Sequence, residues 1–190
     1  MGNINFLQLT SYAWLVLILY WIFAGMHTKI TVKKEASTNR IIYLVLMIAA
    51  FALVYESRVR IGFLGQKFML ASVYTDWVGL AINLAGIGLA IVARWKLGEN
   101  WSGRVTVKKD HTLVQTGPYA LTRHPIYTGI FFGLVGAVII QGEIRGLIAL
   151  PLLFIALRLK IVLEEKFMKQ IFPAYTEYSK KTKRLIPLIY

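Results

Sequence analysis

A chain of 190 residues allows one domain, and with 57% hydrophobic against 16% charged residues its apolar content exceeds what a soluble core of that size can hide, so the composition is that of a membrane protein. The absence of Cys excludes disulfides, thiolate nucleophiles and cysteine-based metal sites, and three scattered histidines, His27, His111 and His124, make no convincing metal cluster. The net charge of +13 raises nucleic acid as a partner, but the cations lie in short segments flanking apolar runs; membrane lipid is therefore the expected partner, with no nucleic acid and no metal.

Residues 1–26 hold no Lys or Arg, so the basic start of a cleavable signal peptide is missing and a retained first span over 6–26 is expected. About six uncharged turns at 1.5 Å per residue approach the thickness of the hydrocarbon layer. A basic linker with Lys29, Lys33, Lys34 and Arg40 leads to a second, shorter run over 41–55. Residues 56–76 mix Arg58, Arg60 and Lys67 with Phe63, Leu64, Phe68 and Met69, a pattern that fits an interfacial helix or a loop equally. The third run, 77–93, carries Gly79, Gly86 and Gly88, which let helices approach closely, and Asn83, best read as an interhelical hydrogen bonder.

A polar segment follows Arg94. Trp95 and Trp101 in it read as members of an interfacial aromatic belt. In the stretch HTLVQTGPYALTRHPIYTGIFFG, over 111–133, Gly117-Pro118 signals a turn and Pro125 suits the first turn of the helix that follows. His, Arg and two Tyr are thereby set at the mouth of an apolar helix. Runs over 126–140 and 146–157, joined by a short break at 141–145, predict an antiparallel helical hairpin whose second member holds Pro151. Gly129 and Gly133 form a GxxxG read as close helix packing. The last run is expected to continue past the membrane surface as a helix carrying Glu164 and Glu165, ending near Pro173. On that helix Lys160 and Glu164 share a face while Glu165 points about 100° away. By spacing alone the pair reads as a surface ion pair.

The fold expected is all-α: a polytopic membrane protein with about five spans, the last two a hairpin, plus a C-terminal helix and tail. With the N-terminus outside, eighteen Lys and Arg fall in cytoplasmic segments against four outside, a positive-inside bias that puts the 111–133 stretch and the tail on one face.

Three motifs in order, LGENWS (97–102), DHTLVQTGPYALTRHPIYTG (110–129) and EEKFMKQIFPAYTEYSKKTKRLIP (164–187), resemble the isoprenylcysteine carboxyl methyltransferase family. These are integral membrane enzymes that use S-adenosylmethionine and are related to the phospholipid N-methyltransferases. The likeness covers about the last half of the chain. It implies a single domain over 1–190, with three N-terminal spans to residue 96 and a cofactor-binding and catalytic half over 97–190. It further implies that His111, Thr112, Leu113 and Val114 line the cofactor with Tyr119 beside them. His124, Pro125, Ile126 and Tyr127 would form a second cofactor-binding stretch, and Glu164 would meet the methionine amino group. Arg104 stands where the eukaryotic pattern has a cofactor-contacting Gln, and Lys160 where an Arg binds the acceptor. Arg158, half a turn away, is the alternative anion-holding residue. Arg184 reads as an anchor to headgroups or to a tail carboxylate.

The implied activity is methyl transfer from S-adenosylmethionine to a lipid-soluble acceptor, a prenylated cysteine carboxylate or a similar lipidic carboxylate. An ionised carboxylate needs no general base, so positioning does most of the work. Phospholipid or amine N-methylation stays open, as does an NADPH-dependent sterol-type reductase, because reductases of that type share the RHPxY element. The localisation expected is a multi-pass integral membrane protein with a cytoplasmic C-terminus, in the inner membrane of a prokaryote or the endoplasmic reticulum of a eukaryote.

Overall fold

The computed structural model describes residues 4–26, 31–34, 37–101, 106–108, 112–187 and 189–190. Six helices dominate it: α1 (Phe6–Gly25), α2 (Ser37–Tyr55), α3 (Val73–Leu97), α4 (Pro125–Gln141), α5 (Ile144–Ile171) and α6 (Tyr175–Lys181). Local chemistry sets their ends. The Asn5 side chain accepts from the Gln8 N–H at 3.0 Å to start α1. Ser72 and Thr75 cap one another's backbone at the start of α3. Pro125 opens α4, and Gly142, at φ 61°, closes it in the left-handed region that glycine adopts without strain.

Four helices, α1, α2, α3 and α5, are long and apolar enough to cross a membrane, and α4 is a shorter apolar helix of 17 residues. α1 and α2 turn large apolar side chains such as Leu15, Leu19, Ile22, Ile41 and Val45 outward, as a lipid-facing surface requires. α4 is the central helix, with Ile130, Leu134, Ala137 and Val138 buried.

The hairpin of α4 and α5 is present, joined through Gly142 and Glu143, yet α4 packs most extensively on α3 and α5 on α2. Glycine explains the α3–α4 pairing. A Cβ on Gly86 would lie 2.5 Å from the Gly129 carbonyl oxygen and from the Gly133 nitrogen, so these two antiparallel backbones touch without side chains between them. Asn83 Nδ2 donates to the Gly133 carbonyl at 2.7 Å across the same seam, the interhelical bond its place in the third run predicts.

The structure settles one reading that the sequence left open and adds one feature that it did not show. Residues 56–76 hold no interfacial helix but two short helical turns, Ser57–Val59 and Gly62–Gly65. The loop is tied to the α4–α5 connection by Phe68 N–H to Gly142 O at 3.0 Å and Ile144 N–H to Gln66 O at 2.9 Å. Buried Glu143 pins it further, 3.2 Å from Arg60 Nε and 2.7 Å from Arg145 Nε. The chain also contains a two-stranded antiparallel pair, β1 (Thr31–Lys34) with β2 (Thr106–Lys108). Both strands begin with Thr-Val, β-branched residues that favour extended backbone, but three or four residues are too few to show a period.

Candidate active site

The polar stretch before α4, the start of α4, the emergent part of α5 and α6 meet at one end of the bundle around a single cavity. Its empty space is about 850 Å³ including the part open to solvent. Thr112, Leu113, Val114, Tyr119, His124, Ile126, Tyr127 and Glu164 all contribute to the wall. Pro125 is buried beside them as the first residue of α4 and acts through backbone geometry. His111 and Arg104 lie outside the described residues.

Glu164 is the hub of the wall. Tyr127, on the first turn of α4, donates its hydroxyl to Glu164 Oε1 at 2.5 Å, and His124 Nδ1 stands 3.4 Å from Oε2. The His124 and Tyr127 rings stack with centroids 5.6 Å apart and planes 9° from parallel. One turn back on α5, Lys160 is only 9% exposed, with its Nζ 5.3 Å from the centroid of the Tyr127 ring and 5.3 Å from that of Tyr43 on α2. Lys160 is thus buried behind Tyr127, where spacing alone gave a surface ion pair. Arg158 points away, on an exposed face of α5.

Glu165 faces the other side of His124, 3.5 Å from Nε2. It also accepts from Arg123 Nε at 2.7 Å and from Arg184 Nε at 3.1 Å. Arg184 therefore anchors to a carboxylate of the 158–190 tail, one of the two partners its position suggested, and that carboxylate is Glu165. Arg123 reaches on to the Ser179 carbonyl at 2.9 Å and to the carbonyl of Thr182. The tail is laced to the cavity floor by main chain as well. Arg123 N–H donates to Lys183 O at 2.8 Å and His124 N–H to Arg184 O at 3.1 Å, while the Tyr178 hydroxyl donates to Tyr119 O at 2.6 Å.

Electrostatics follow from burial and these partners. Burial opposes charge on His124, but the flanking carboxylates of Glu164 and Glu165 outweigh it and raise the imidazole above its ordinary range. Burial pushes the Tyr178 phenol up to about 12 and holds those of Tyr119 and Tyr175 higher still. The three phenols therefore keep their protons at neutral pH, and His124 holds a proton more readily than a free imidazole. The wall is built to position.

Sequence reading missed Asn100, Trp101, Phe167, Met168, Tyr175 and Tyr178, which also line the cavity. Trp101 is a wall residue where its position read as a membrane belt; the Arg94 guanidinium lies 4.4 Å over its ring and bonds Ala24 O at 2.6 Å, drawing it inward. Asn100 was legible only through its partner, since its Nδ2 donates to Thr112 Oγ1 at 2.9 Å.

A model of the phospholipid methyltransferase family matches residues 74–175. The chain belongs to that family. Among curated proteins it is 30% identical over 131 residues to the cobalt-zinc-cadmium resistance protein CzcN of Cupriavidus metallidurans, covering 63% of this chain and 59% of that one. It is 31% identical over 127 residues to the protein-S-isoprenylcysteine O-methyltransferase of Saccharomyces cerevisiae, covering 65% of this chain and 53% of the yeast protein. The chain thus spans between about half and three-fifths of the length of these relatives. A solved structure of the eukaryotic intramembrane Ras methyltransferase, isoprenylcysteine carboxyl methyltransferase, superposes with a TM-score of 0.56 at 22% identity, covering 83% of this chain and 55% of that one. It shares the fold.

Proposed function

We propose that this chain is an S-adenosylmethionine-dependent methyltransferase that O-methylates the carboxylate of a lipid-soluble acceptor, a prenylated cysteine or a similar lipidic carboxylate. The single observation that carries the reading is the Glu164 hub: a carboxylate on the cavity wall, bonded to Tyr127 and beside His124, at the emergent end of an apolar helix. Glu164 faces the cofactor's amino group, a cation that an anionic wall suits, and Thr112, Leu113 and Val114 line its other side. The aromatic faces of Tyr119 and Tyr127 suit a sulfonium. When bound, S-adenosylmethionine supplies an electrophilic methyl group. An ionised carboxylate has no proton to lose on accepting it, so the wall need only position the two reactants. An amine acceptor would need a base to take its proton.

Lys160, buried behind Tyr127, orients the acceptor's negative charge, a role for which exposed Arg158 is badly placed. The acceptor's apolar remainder enters from the bilayer. The cavity opens to the cytoplasm, the side to which the positive-inside bias assigns the tail.

Two measurements test this reading. Calorimetry in detergent should give an S-adenosylmethionine affinity at least about tenfold weaker in Glu164→Ala than in the native chain, the loss of one charge-assisted contact; equal affinities remove Glu164 from its role. Membranes incubated with methyl-labelled cofactor should place label in base-labile esters. Label confined to base-stable amines would favour N-methylation instead, and hydride transfer from NADPH would make the protein a reductase.

A further inference from the structure

α5 carries Glu164 into the cavity wall, and the side it turns away from the bundle has a pattern of its own. Ile148, Ile155, Leu159, Val162, Lys166 and Lys169 fall at intervals of three, four or seven residues, the spacing that keeps side chains on one helix face. All six are exposed, whereas Leu153, Leu157, Lys160 and Ile161 on the other side are buried. The exposed face changes chemistry once along its length: it is apolar as far as Val162 and cationic from Lys166 onward.

That change falls where a bilayer ends. From Ile144, the first residue of α5, to Val162 the rise is about 27 Å, close to the roughly 30 Å of a hydrocarbon layer. Exposed Arg158 borders the same face about one turn short of the change, near enough for its long stem to lie in lipid while the guanidinium reaches the headgroups. Among the described residues, no carboxylate pairs with Arg158, Lys166 or Lys169, and Glu177, the exposed acid of α6, is taken by Lys180 at 2.7 Å. Three cations at the edge of an apolar stripe suit an anionic lipid, whose acyl chains cover the stripe while its phosphate meets the charges. A soluble polyanion would leave the stripe bare. Glu164 lies between Val162 and Lys166 along the helix, so the height of this boundary is also the height of the cavity wall.

We propose that Arg158, Lys166 and Lys169 form a docking face for anionic phospholipid headgroups, which holds the Glu164 cavity at headgroup depth. This requires only that α5 crosses a membrane. It depends neither on methyl transfer nor on which leaflet is cytoplasmic.

The probes are nitroxide-labelled phosphatidylglycerol and phosphatidylcholine, each at trace level in phosphatidylcholine vesicles that hold the full chain. Electron spin resonance reads the fraction of label immobilised against the protein. The native chain should hold the anionic label at least about threefold more strongly than the zwitterionic one, with the ratio falling as salt is raised. Removing three charges from α5 together, by Arg158→Gln, Lys166→Gln and Lys169→Gln, should bring the ratio below about half its native value. Removing three from exposed Lys180, Lys181 and Lys183 in the same way should leave at least about three quarters of it, because those residues lie beyond the stripe. A native ratio near one overturns the proposal, and so do equal ratios in the two triple variants, which would show net charge alone at work. Depth is read separately on a chain without native Cys. A nitroxide at Val162→Cys should collide more often with oxygen than with a water-soluble nickel chelate, and one at Lys169→Cys the reverse; a label at 162 open to the chelate places the boundary elsewhere and overturns the proposal as well. If the α5 triple variant does not fold, this depth measurement decides. Absence of methyl transfer strikes the methyltransferase reading alone and leaves each of these outcomes as stated.

Discussion

Glu165 divides its two oxygens among Arg123, Arg184 and the edge of His124, so one carboxylate compensates charge drawn from the loop before α4 and from the tail. Removing it strands a nearly buried guanidinium. Glu165→Ala should cost about 3–5 kcal/mol, the range for breaking a buried pair by deleting one partner, read as a lowered unfolding midpoint in detergent. His124 yields a pH prediction. Its folded pKa is raised above the ordinary 6.5 by Glu164 and Glu165 against the effect of burial, so the stability it contributes is complete below 6.5 and disappears as pH climbs through the raised value. Midpoints measured from pH 6 upward should fall for the native chain and fall less for His124→Gln; parallel curves would show that His124 does not titrate in this window. At this scale the motifs made Glu164, His124, Tyr119 and Tyr127 legible, because each lies within a short stretch of distinctive residues. Tyr43 and Trp101 were not legible, because an aromatic residue in or near an apolar run looks the same whether it faces lipid or a charged side chain.

Gly86 and Gly88 are two residues apart on α3 and face opposite conditions. A methyl group on Gly86 runs into the backbone of α4, whereas one on Gly88 meets nothing within 4 Å. Gly86→Ala should therefore destabilise by about 1–3 kcal/mol through overpacking, while Gly88→Ala should be neutral or slightly stabilising through helix propensity. Unfolding midpoints of the two variants decide it, and equal values would mean that the α3–α4 seam is looser than described. The apolar runs showed where the helices are, and the small residues showed which ones come close. Partner choice beyond that pair was hidden, because α2 and α5 meet through ordinary apolar side chains that carry no mark of their neighbour. The β1–β2 pair escaped for a different reason: its pairing is long-range and neither strand exceeds four residues.

For the molecule as a whole, the charge bias makes a statement about sidedness that the absence of Cys renders easy to check. Single cysteines at exposed Arg58 and exposed Lys181 give one probe on each proposed face. In sealed cells an impermeant maleimide should label Arg58→Cys and spare Lys181→Cys until the membrane is opened; the reverse pattern inverts the proposed topology. Order along the chain says which segments are spans but not how their ends converge, and convergence here depends on residues 182–187 and 189–190 folding back on 122–128, where Thr128 Oγ1 donates to Leu185 O at 2.5 Å and Leu185 N–H to Tyr190 O at 2.7 Å. Such an arrangement has a consequence for biogenesis. While the ribosome is still translating, every apolar helix can already be threaded into the bilayer and the cavity yet lack part of its floor, since the main-chain N–H groups of Arg123 and His124 meet the carbonyls of Lys183 and Arg184 only once the segment after Lys181 has left the exit tunnel. The floor is thus laid down by residues that are translated after every apolar helix.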